Sequence, residues 1–185
     1  MRLLCVADLH GKFLQYEKDF LDAVKAGFDV CLLLGDNNMN DLKHIIEVVP
    51  QDQVIGVLGN HDSPNYYDQL DITNIDKKVV QLKGFSFAGM EGSLRYNSYM
   101  PGYTHEESVI AAEKMEKADV MVCHTVPYTG GDDEDIHNGL KGITAYIEKN
   151  STPYLIHGHL HENKEYKLPC GTACIGVRGI KVVVV

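Results

Sequence analysis

Short apolar runs alternate with amphipathic segments in the first part of the chain. Residues 2–7, 30–34 and 54–58 are almost continuously apolar, which is typical of strands buried on both faces. Between these runs, residues 13–26 carry apolar side chains at helical spacing, and residues 41–49 predict a shorter helix. This alternation predicts right-handed crossovers and a parallel sheet, so the three strands should end at the same edge.

The later part of the chain predicts a second group of strands. Residues 79–82 and 85–88 are short apolar segments separated by Lys83-Gly84, a break typical of a hairpin. Residues 89–103 are rich in Gly, Ser, Tyr and Asn, and loops of this length in compact domains are functional or mobile. Further strands are predicted over residues 119–123, 153–156, 172–177 and 180–185, and helices over residues 106–117 and 139–150. The Val-rich end of the chain requires a partner strand to cover it.

Length and composition limit the classes of protein to which this chain can belong. A chain of 185 residues that is 44% hydrophobic and 23% charged can build one substantial core, so we expect one domain over residues 1–185. Its formal net charge of −9 argues against a broad nucleic-acid surface, which would need clustered Lys and Arg. The N-terminal apolar run is too short for a signal peptide or a membrane span, and the five cysteines are an odd number that fits reduced thiols. We therefore expect a cytoplasmic protein without a membrane partner.

Potential metal ligands follow five of the predicted strands. They are Asp8 and His10, Asp36, Asn60 and His61, His124, and His159 with His161. Asp8 and His10 are two residues apart, so in an extended segment they would project from the same face. One such segment alone could be only a turn or a helix cap. Because parallel strands end at one edge of a sheet, however, these side chains should meet there.

The donor types indicate the class of metal. Carboxylate, imidazole and amide donors together suit divalent transition metals such as manganese, iron, zinc or nickel, whereas thiolate zinc sites and all-oxygen calcium sites need other ligands. The acidic segment 130–135 lacks the spacing and the closing Glu of a calcium loop, so we interpret it as a solvated loop. The strand ends supply enough donors for two ions that share one carboxylate. Two carboxylates do not neutralise two dications, so the site should attract an anion.

Five motifs occur in an order that matches one enzyme superfamily. They are Asp8-x-His10, Gly35-Asp36, Gly59-Asn60-His61-Asp62, His124 and Gly158-His159-Leu160-His161. This set resembles the calcineurin-like metallophosphoesterase superfamily. The resemblance implies an α/β fold of the α/β/β/α four-layer sandwich type. It also implies phosphoester hydrolysis by a hydroxide that bridges two divalent metal ions, with manganese as the first choice and iron, nickel or zinc as alternatives.

The resemblance assigns a role to each motif residue. The first metal would be held by Asp8, His10, Asp36 and His161, and the second by Asp36, Asn60, His124 and His159. Asp36 would bridge the two ions, and Asn60 would also contact the substrate. His61 would contact the phosphate or donate a proton to the leaving oxygen, a role that the pKa of histidine permits.

One departure from the family pattern narrows the choice of substrate class. Members that dephosphorylate Ser/Thr proteins carry the motif Gly-Asp-x-x-Asp-Arg-Gly, whose second Asp supports the catalytic His. Here Met39 stands at that place, followed by Asn40 and Asp41, so a phosphodiester or a small phosphorylated metabolite is favoured over a protein. Asp62 is the remaining candidate to orient His61 as a catalytic partner, with a turn or helix cap as its alternative role.

The remaining candidates lie outside the motifs. Arg95 is assigned to substrate binding because a guanidinium pairs with phosphate through two hydrogen bonds, and a solvent-facing Arg on a loop is the alternative. His44, His105 and His137 complete no ligand spacing and are placed outside the site. His157 is interpreted as a buried residue at a strand end.

Three other functions stay open. Some members of the superfamily are non-catalytic scaffolds, but these typically lose the histidine at the position of His61, which this chain retains. A phosphomonoesterase would use the same site chemistry. A nuclease is disfavoured by the acidic balance of the chain. The expected partner is therefore a small phosphoester, and the hairpin and the Val-rich end leave a homodimer open.

Overall fold

Two large β-sheets form the centre of the molecule. The computed structural model describes residues 1–185, which contain thirteen strands and five α-helices. The strands are β1 (Arg2–Ala7), β2 (Val30–Leu33), β3 (Val54–Gly56), β4 (Thr73–Asn74), β5 (Val79–Leu82), β6 (Phe85–Met90), β7 (Ser93–Leu94), β8 (Gly102–Tyr103), β9 (Val120–Cys123), β10 (Tyr154–His157), β11 (Lys164–Lys167), β12 (Ala173–Gly176) and β13 (Gly179–Val184). The helices are α1 (Phe13–Ala26), α2 (Met39–Val48), α3 (Tyr66–Leu70), α4 (His105–Lys114) and α5 (Lys141–Asn150). None of these helices is long and apolar enough to cross a lipid bilayer.

The first sheet carries the parallel strands that the sequence predicts. Its strand order is β13-β1-β2-β3-β4, in which β1 to β4 are parallel and β13 is antiparallel to β1. The second sheet has the order β11-β12-β10-β9-β6-β5. Its four central strands are parallel, and its edge strands β5 and β11 are antiparallel to their neighbours. Each sheet therefore presents several carboxyl ends at one edge.

The side chains of β1 alternate between two cores. Leu3, Cys5 and Ala7 face a core between the two sheets, whereas Leu4 and Val6 face a core that includes residues of α1 and α2. A third core joins the second sheet to α4 and α5. The molecule is thus an α/β/β/α four-layer sandwich, which confirms the fold that the resemblance implied. The assignment of residues 1–185 to one domain stays a prediction.

The structure differs from the sequence prediction at the end of the chain. β13 pairs with β1 in the first sheet, rather than joining the sheet of the later strands. This pairing supplies the partner that the Val-rich segment requires, and Val183 is buried in the core between the sheets. The short elements α3, β4 and β11 lie outside the sequence predictions because segments of this length carry too little periodicity.

The start of α2 holds two of the ligand-bearing loops together. Asn38 caps the helix, and Asp41 is its reciprocal partner in a capping box, so α2 begins at Met39. Asp41 also accepts hydrogen bonds from the N–H groups of Gly11 and Phe13 at 2.7 and 3.0 Å. The loop after β1 is therefore tied to the loop after β2.

Leu32→Ala should lower the free energy of unfolding by about 3 kcal/mol, because this buried side chain packs between the sheets and its removal leaves a cavity. Leu14→Ala is the matched control. Leu14 is 72% exposed, so the same substitution there should change the free energy of unfolding by less than about 0.5 kcal/mol. Urea unfolding followed by circular dichroism measures both effects, and equal effects would contradict the assigned core.

Candidate metal centre

Five loops from the two sheets meet at one edge of the molecule. In the first sheet, Asp8 directly follows β1, and the loops that carry Asp36 and Asn60 follow the neighbouring strands β2 and β3. In the second sheet, His124 directly follows β9, and the loop that carries His159 follows the adjacent strand β10. The N–H group of His159 donates to the Asp8 carboxylate at 3.1 Å, which joins the edges of the two sheets.

Five of the predicted ligands adopt the left-handed backbone conformation. They are Asp8, His10, Asp36, His159 and His161, with φ angles of 55°, 47°, 54°, 67° and 53°. This conformation costs a non-glycine residue about 1 kcal/mol, and it occurs at functional sites where the surrounding structure enforces it. The chain therefore turns sharply at these residues. The expectation that Asp8 and His10 lie in an extended segment is wrong, and a turn brings them together instead.

Four side chains form a compact first ligand set. The ligand atoms of Asp8, His10, Asp36 and His161 all lie within 4.8 Å of one another. His10 Nε2 is 3.1 Å from His161 Nε2 and 3.7 Å from Asp36 Oδ2. Burial raises the pKa of Asp8 to about 8, and repulsion by the nearby Asp36 carboxylate adds to this rise. A divalent cation would relieve this repulsion, so the residues of this set fit a metal ion.

His124 and Asn60 belong to a second set, in which acceptor atoms face one another. Burial lowers the pKa of His124, and its Nδ1–H donates to the Leu34 carbonyl at 2.7 Å, so Nε2 carries a lone pair. This nitrogen lies 2.9 Å from Asn60 Oδ1 and 3.5 Å from Asp36 Oδ2. Two donors that bind one ion at about 2.1 Å and at right angles lie about 3 Å apart. The close contact of His124 with Asn60 therefore fits two ligands of one cation.

His159 joins the second set with a fixed tautomer. Its Nε2–H donates to the Ile136 carbonyl at 3.1 Å, which leaves a lone pair on Nδ1. Burial lowers the pKa of His159 to about 3, so the ring is neutral and able to bind a metal. Its ring centroid lies 5.0 Å from that of His124.

A cavity of about 290 Å³ opens onto both ligand sets. Asp36 and Asn60 line it, together with His159, His161 and His61. The N–H group of His61 donates to Asp36 Oδ1 at 2.9 Å, and the imidazole of His61 is exposed at the cavity. The structure therefore places the predicted catalytic histidine beside the ligands, and its role stays a prediction.

Ile136 and His137 also line this cavity, although the sequence analysis placed His137 outside the site. The ring of His137 stacks on that of His159 with centroids 5.3 Å apart, and its Nδ1 lies 3.1 Å from Asp135 Oδ1. No ligand spacing marks His137 in the sequence. Only the fold of the acidic loop brings it to the centre.

Asp62 holds the ligand loops together through hydrogen bonds to their backbones. Its Oδ2 accepts hydrogen bonds from the N–H groups of Asp36 and Gly59 at 2.9 and 2.8 Å. Burial raises the pKa of this carboxyl. A side chain at Gly59 would collide with the Asp36 carboxylate, so the two loops approach as closely as their backbones allow. These contacts match the alternative role of Asp62 as a turn cap, and a part for Asp62 in orienting His61 stays a prediction.

Arg95 lies away from the ligands and lines a different cavity of about 540 Å³. Its two terminal nitrogens pair with Glu107 at 2.9 and 2.8 Å, and one of them also donates to the Gly102 carbonyl at 2.9 Å. The structure therefore does not bring Arg95 to the predicted phosphate position. The cation beside the first ligand set is Arg178, whose Nη1 lies 3.5 Å from the carbonyl oxygen of His161.

Asp62→Ala should lower the free energy of unfolding by about 3 kcal/mol, because the buried N–H groups of Asp36 and Gly59 would lose their acceptor. Asp19→Ala is the matched control on the exposed face of α1, where a change below about 0.5 kcal/mol is expected. Urea unfolding of both variants measures the difference. A loss at Asp62 no larger than that at Asp19 would show that the two loops do not depend on this carboxylate.

Comparison with known proteins identifies the family. The family model described as calcineurin-like phosphoesterase superfamily domain matches residues 1–168. An uncharacterized protein of Methanocaldococcus jannaschii is 31% identical over 182 aligned positions, and the match covers 89% of this chain and 82% of that protein.

Solved structures share the fold at much lower identity. A dimetal phosphatase from Danio rerio is 12% identical with a TM-score of 0.62, covering 97% of this chain and 87% of that chain. An archaeal phosphodiesterase is 13% identical with a TM-score of 0.58, covering 97% of this chain and 84% of that chain. The family match and the convergence of the ligands lead to one conclusion: the chain belongs to the calcineurin-like phosphoesterase superfamily and is a metal-dependent phosphoesterase.

Proposed function

We propose that this protein hydrolyses small phosphodiesters at a centre of two divalent metal ions that share Asp36. The position of one oxygen atom carries the proposal. Asp36 Oδ2 lies 3.7 Å from His10 Nε2 in the first ligand set and 3.5 Å from His124 Nε2 in the second. The other oxygen, Oδ1, accepts a hydrogen bond from the N–H group of His61, which holds it in place. One buried oxygen that faces both sets is what a bridging ligand requires.

The donor set supports the identity and the placement of the ions. The first ion would be held by Asp8, His10, Asp36 and His161, and the second by Asp36, Asn60, His124 and His159. Manganese is the proposed metal, with iron, nickel and zinc as alternatives, because carboxylate, imidazole and amide donors are mixed. Bound ions of this kind supply positive charge to phosphate oxygens and lower the pKa of a coordinated water.

His61 is the residue proposed to act on the leaving group. Its backbone is fixed on Asp36, and its ring lies at the cavity, with a centroid 5.7 Å from that of His10. From this position the imidazole can hydrogen-bond to a phosphate oxygen, or its protonated form can give a proton to the leaving alkoxide. Asn60 lines the same cavity, so a contact with the substrate is proposed for it as well.

The size and charge of the site favour a small ester over a nucleic acid. The cavity measures about 290 Å³, and Ile136 and His137 form part of its wall. The acidic residues 132–135 directly precede this wall, and their negative charges would repel an extended polyanion. The net charge of −9 acts in the same direction.

The start of α2 disfavours a phosphoprotein as the substrate. Asp41 is occupied as the cap of α2 and as the acceptor for Gly11 and Phe13, so it does not take the place of the supporting Asp in the protein-phosphatase motif. A phosphomonoesterase is the second candidate, since the solved structures of this fold include a dimetal phosphatase as well as a phosphodiesterase. A scaffold role is disfavoured because His61 and both ligand sets are present.

A cytoplasmic location and a homodimer stay predictions. Four of the five cysteines are buried, and burial raises the pKa of the Cys31 thiol to about 12, so it resists oxidation. The edge strands β5 and β13 each have one side free of a neighbouring strand, which supports pairing with a second copy.

Hydrolysis of an aryl phosphodiester and of the matching monoester, each with added manganese, tests the proposal. Asp36→Asn should reduce turnover at least about 1,000-fold, because both ions would lose their shared ligand. His61→Ala should reduce turnover about 100-fold, the usual contribution of a positioned proton donor. The diester should be the better substrate.

Two exposed positions provide matched controls for these variants. Asp19→Asn and His44→Ala repeat the same substitutions away from both ligand sets, and both should keep wild-type turnover. Stoichiometric metal binding without cleavage of either ester would contradict the proposal. Faster cleavage of the monoester would replace the phosphodiesterase with the second candidate.

A further inference from the structure

The side chain of Asn60 can serve the second metal ion in only one of its two orientations. An amide has an oxygen, which binds metals, and an NH₂ group, which does not. In the structure, Asn60 Oδ1 faces His124 Nε2 at 2.9 Å, and both atoms are acceptors because the proton of His124 is on Nδ1. Rotating the amide by 180° would let its NH₂ group donate to His124, a favourable hydrogen bond in the absence of metal. Something must therefore hold the amide in the orientation that suits a metal.

Tyr96 makes that contact. Its hydroxyl oxygen accepts a hydrogen bond from Asn60 Nδ2 at 3.1 Å. The same hydroxyl donates its proton to the main-chain carbonyl of Asn60 at 3.4 Å. Because the single proton of the hydroxyl is directed to the carbonyl, the side of the oxygen that faces the amide can only accept. In this arrangement the hydroxyl receives the NH₂ group of Asn60 rather than its oxygen.

We propose that Tyr96 is a positioning residue that keeps Asn60 Oδ1 directed at the second metal ion. The inference rests on the proposed function, since that function assigns Asn60 to the second ligand set. Without the hydroxyl, the amide can turn and donate to His124 Nε2. The hydrogen bond would then occupy two ligands of the second ion at once, whereas the first ligand set contains neither residue.

The loop that carries Tyr96 is anchored independently of the metal ligands. It connects β7 and β8, and the N–H group of Arg95 donates to the Tyr103 carbonyl at 2.8 Å. The guanidinium of Arg95 pairs with Glu107 of α4 and with the Gly102 carbonyl. Arg95 therefore fixes the backbone beside Tyr96, which gives it a part in the site without a contact to phosphate.

Calorimetric titration of the metal-free full chain with manganese chloride tests the inference. The wild type should bind two ions. Tyr96→Phe should bind the first ion with unchanged affinity and the second at least about tenfold more weakly, because a lost orienting hydrogen bond is of this size. Tyr99→Phe is the matched control: Tyr99 is 82% exposed, and both affinities should stay at wild-type values.

A second comparison, Asn60→Asp with and without Tyr96→Phe, separates an effect on the orientation of the amide from a general effect on the loop between β7 and β8. In Asn60→Asp, both ends of the side chain are oxygens, so its orientation no longer matters. Adding Tyr96→Phe to this variant should change its affinity for the second ion by less than about twofold. A tenfold loss there, or an equal loss of both ions in Tyr96→Phe alone, would overturn the inference.

The same titration distinguishes failure of the two-ion centre from failure of the role of Tyr96. Wild-type protein that binds fewer than two ions would overturn the proposed function, and the role of Tyr96 with it. Two ions bound equally well by wild type and Tyr96→Phe would overturn the role of Tyr96 alone.

Discussion

Hydrogen bonds from the backbone to two buried carboxylates hold the loops of the first sheet together. Asp62 accepts hydrogen bonds from the N–H groups of Asp36 and Gly59. Asp36 Oδ1 accepts a hydrogen bond from the N–H group of His61. Each carboxylate thus fixes the backbone of the loop opposite, where a lost partner would leave a buried N–H unsatisfied. Because Oδ1 of Asp36 is engaged in this way, Oδ2 is the atom that faces both ligand sets. The proposed two-ion centre depends on this division between the two oxygens.

The candidate metal centre combines backbone strain with repulsion between ligand atoms, and a bound cation would relieve that repulsion. Its residues include five in the left-handed conformation, and burial together with Asp36 raises the pKa of Asp8. Acceptor atoms of His124 and Asn60 face each other at 2.9 Å. Strain and repulsion of this kind persist only where the rest of the fold enforces them. The packed strands of both sheets and the capped start of α2 supply that enforcement.

The pattern of apolar runs was sufficient to predict the parallel strands and the motif residues at their ends. This pattern does not predict the position of β13. Local periodicity carries no information about the pairing of β13 with β1, which lies at the other end of the chain. The left-handed turn at Asp8 was missed for a related reason: residue spacing does not reveal a sharp bend. Tyr96 and His137 have no motif, and only folding of their loops brings them to the ligands. The charge of Arg95 predicts a contact with phosphate, but in the structure this charge pairs with Glu107.

Anomalous X-ray diffraction from crystals grown with manganese, recorded above the manganese absorption edge, would locate the bound ions. Two peaks about 3.5 to 4 Å apart are expected on either side of Asp36. One should lie beside His10 and His161, and the other beside Asn60 and His124. A single peak, or two peaks of which one does not contact Asp36, would contradict the shared two-ion centre.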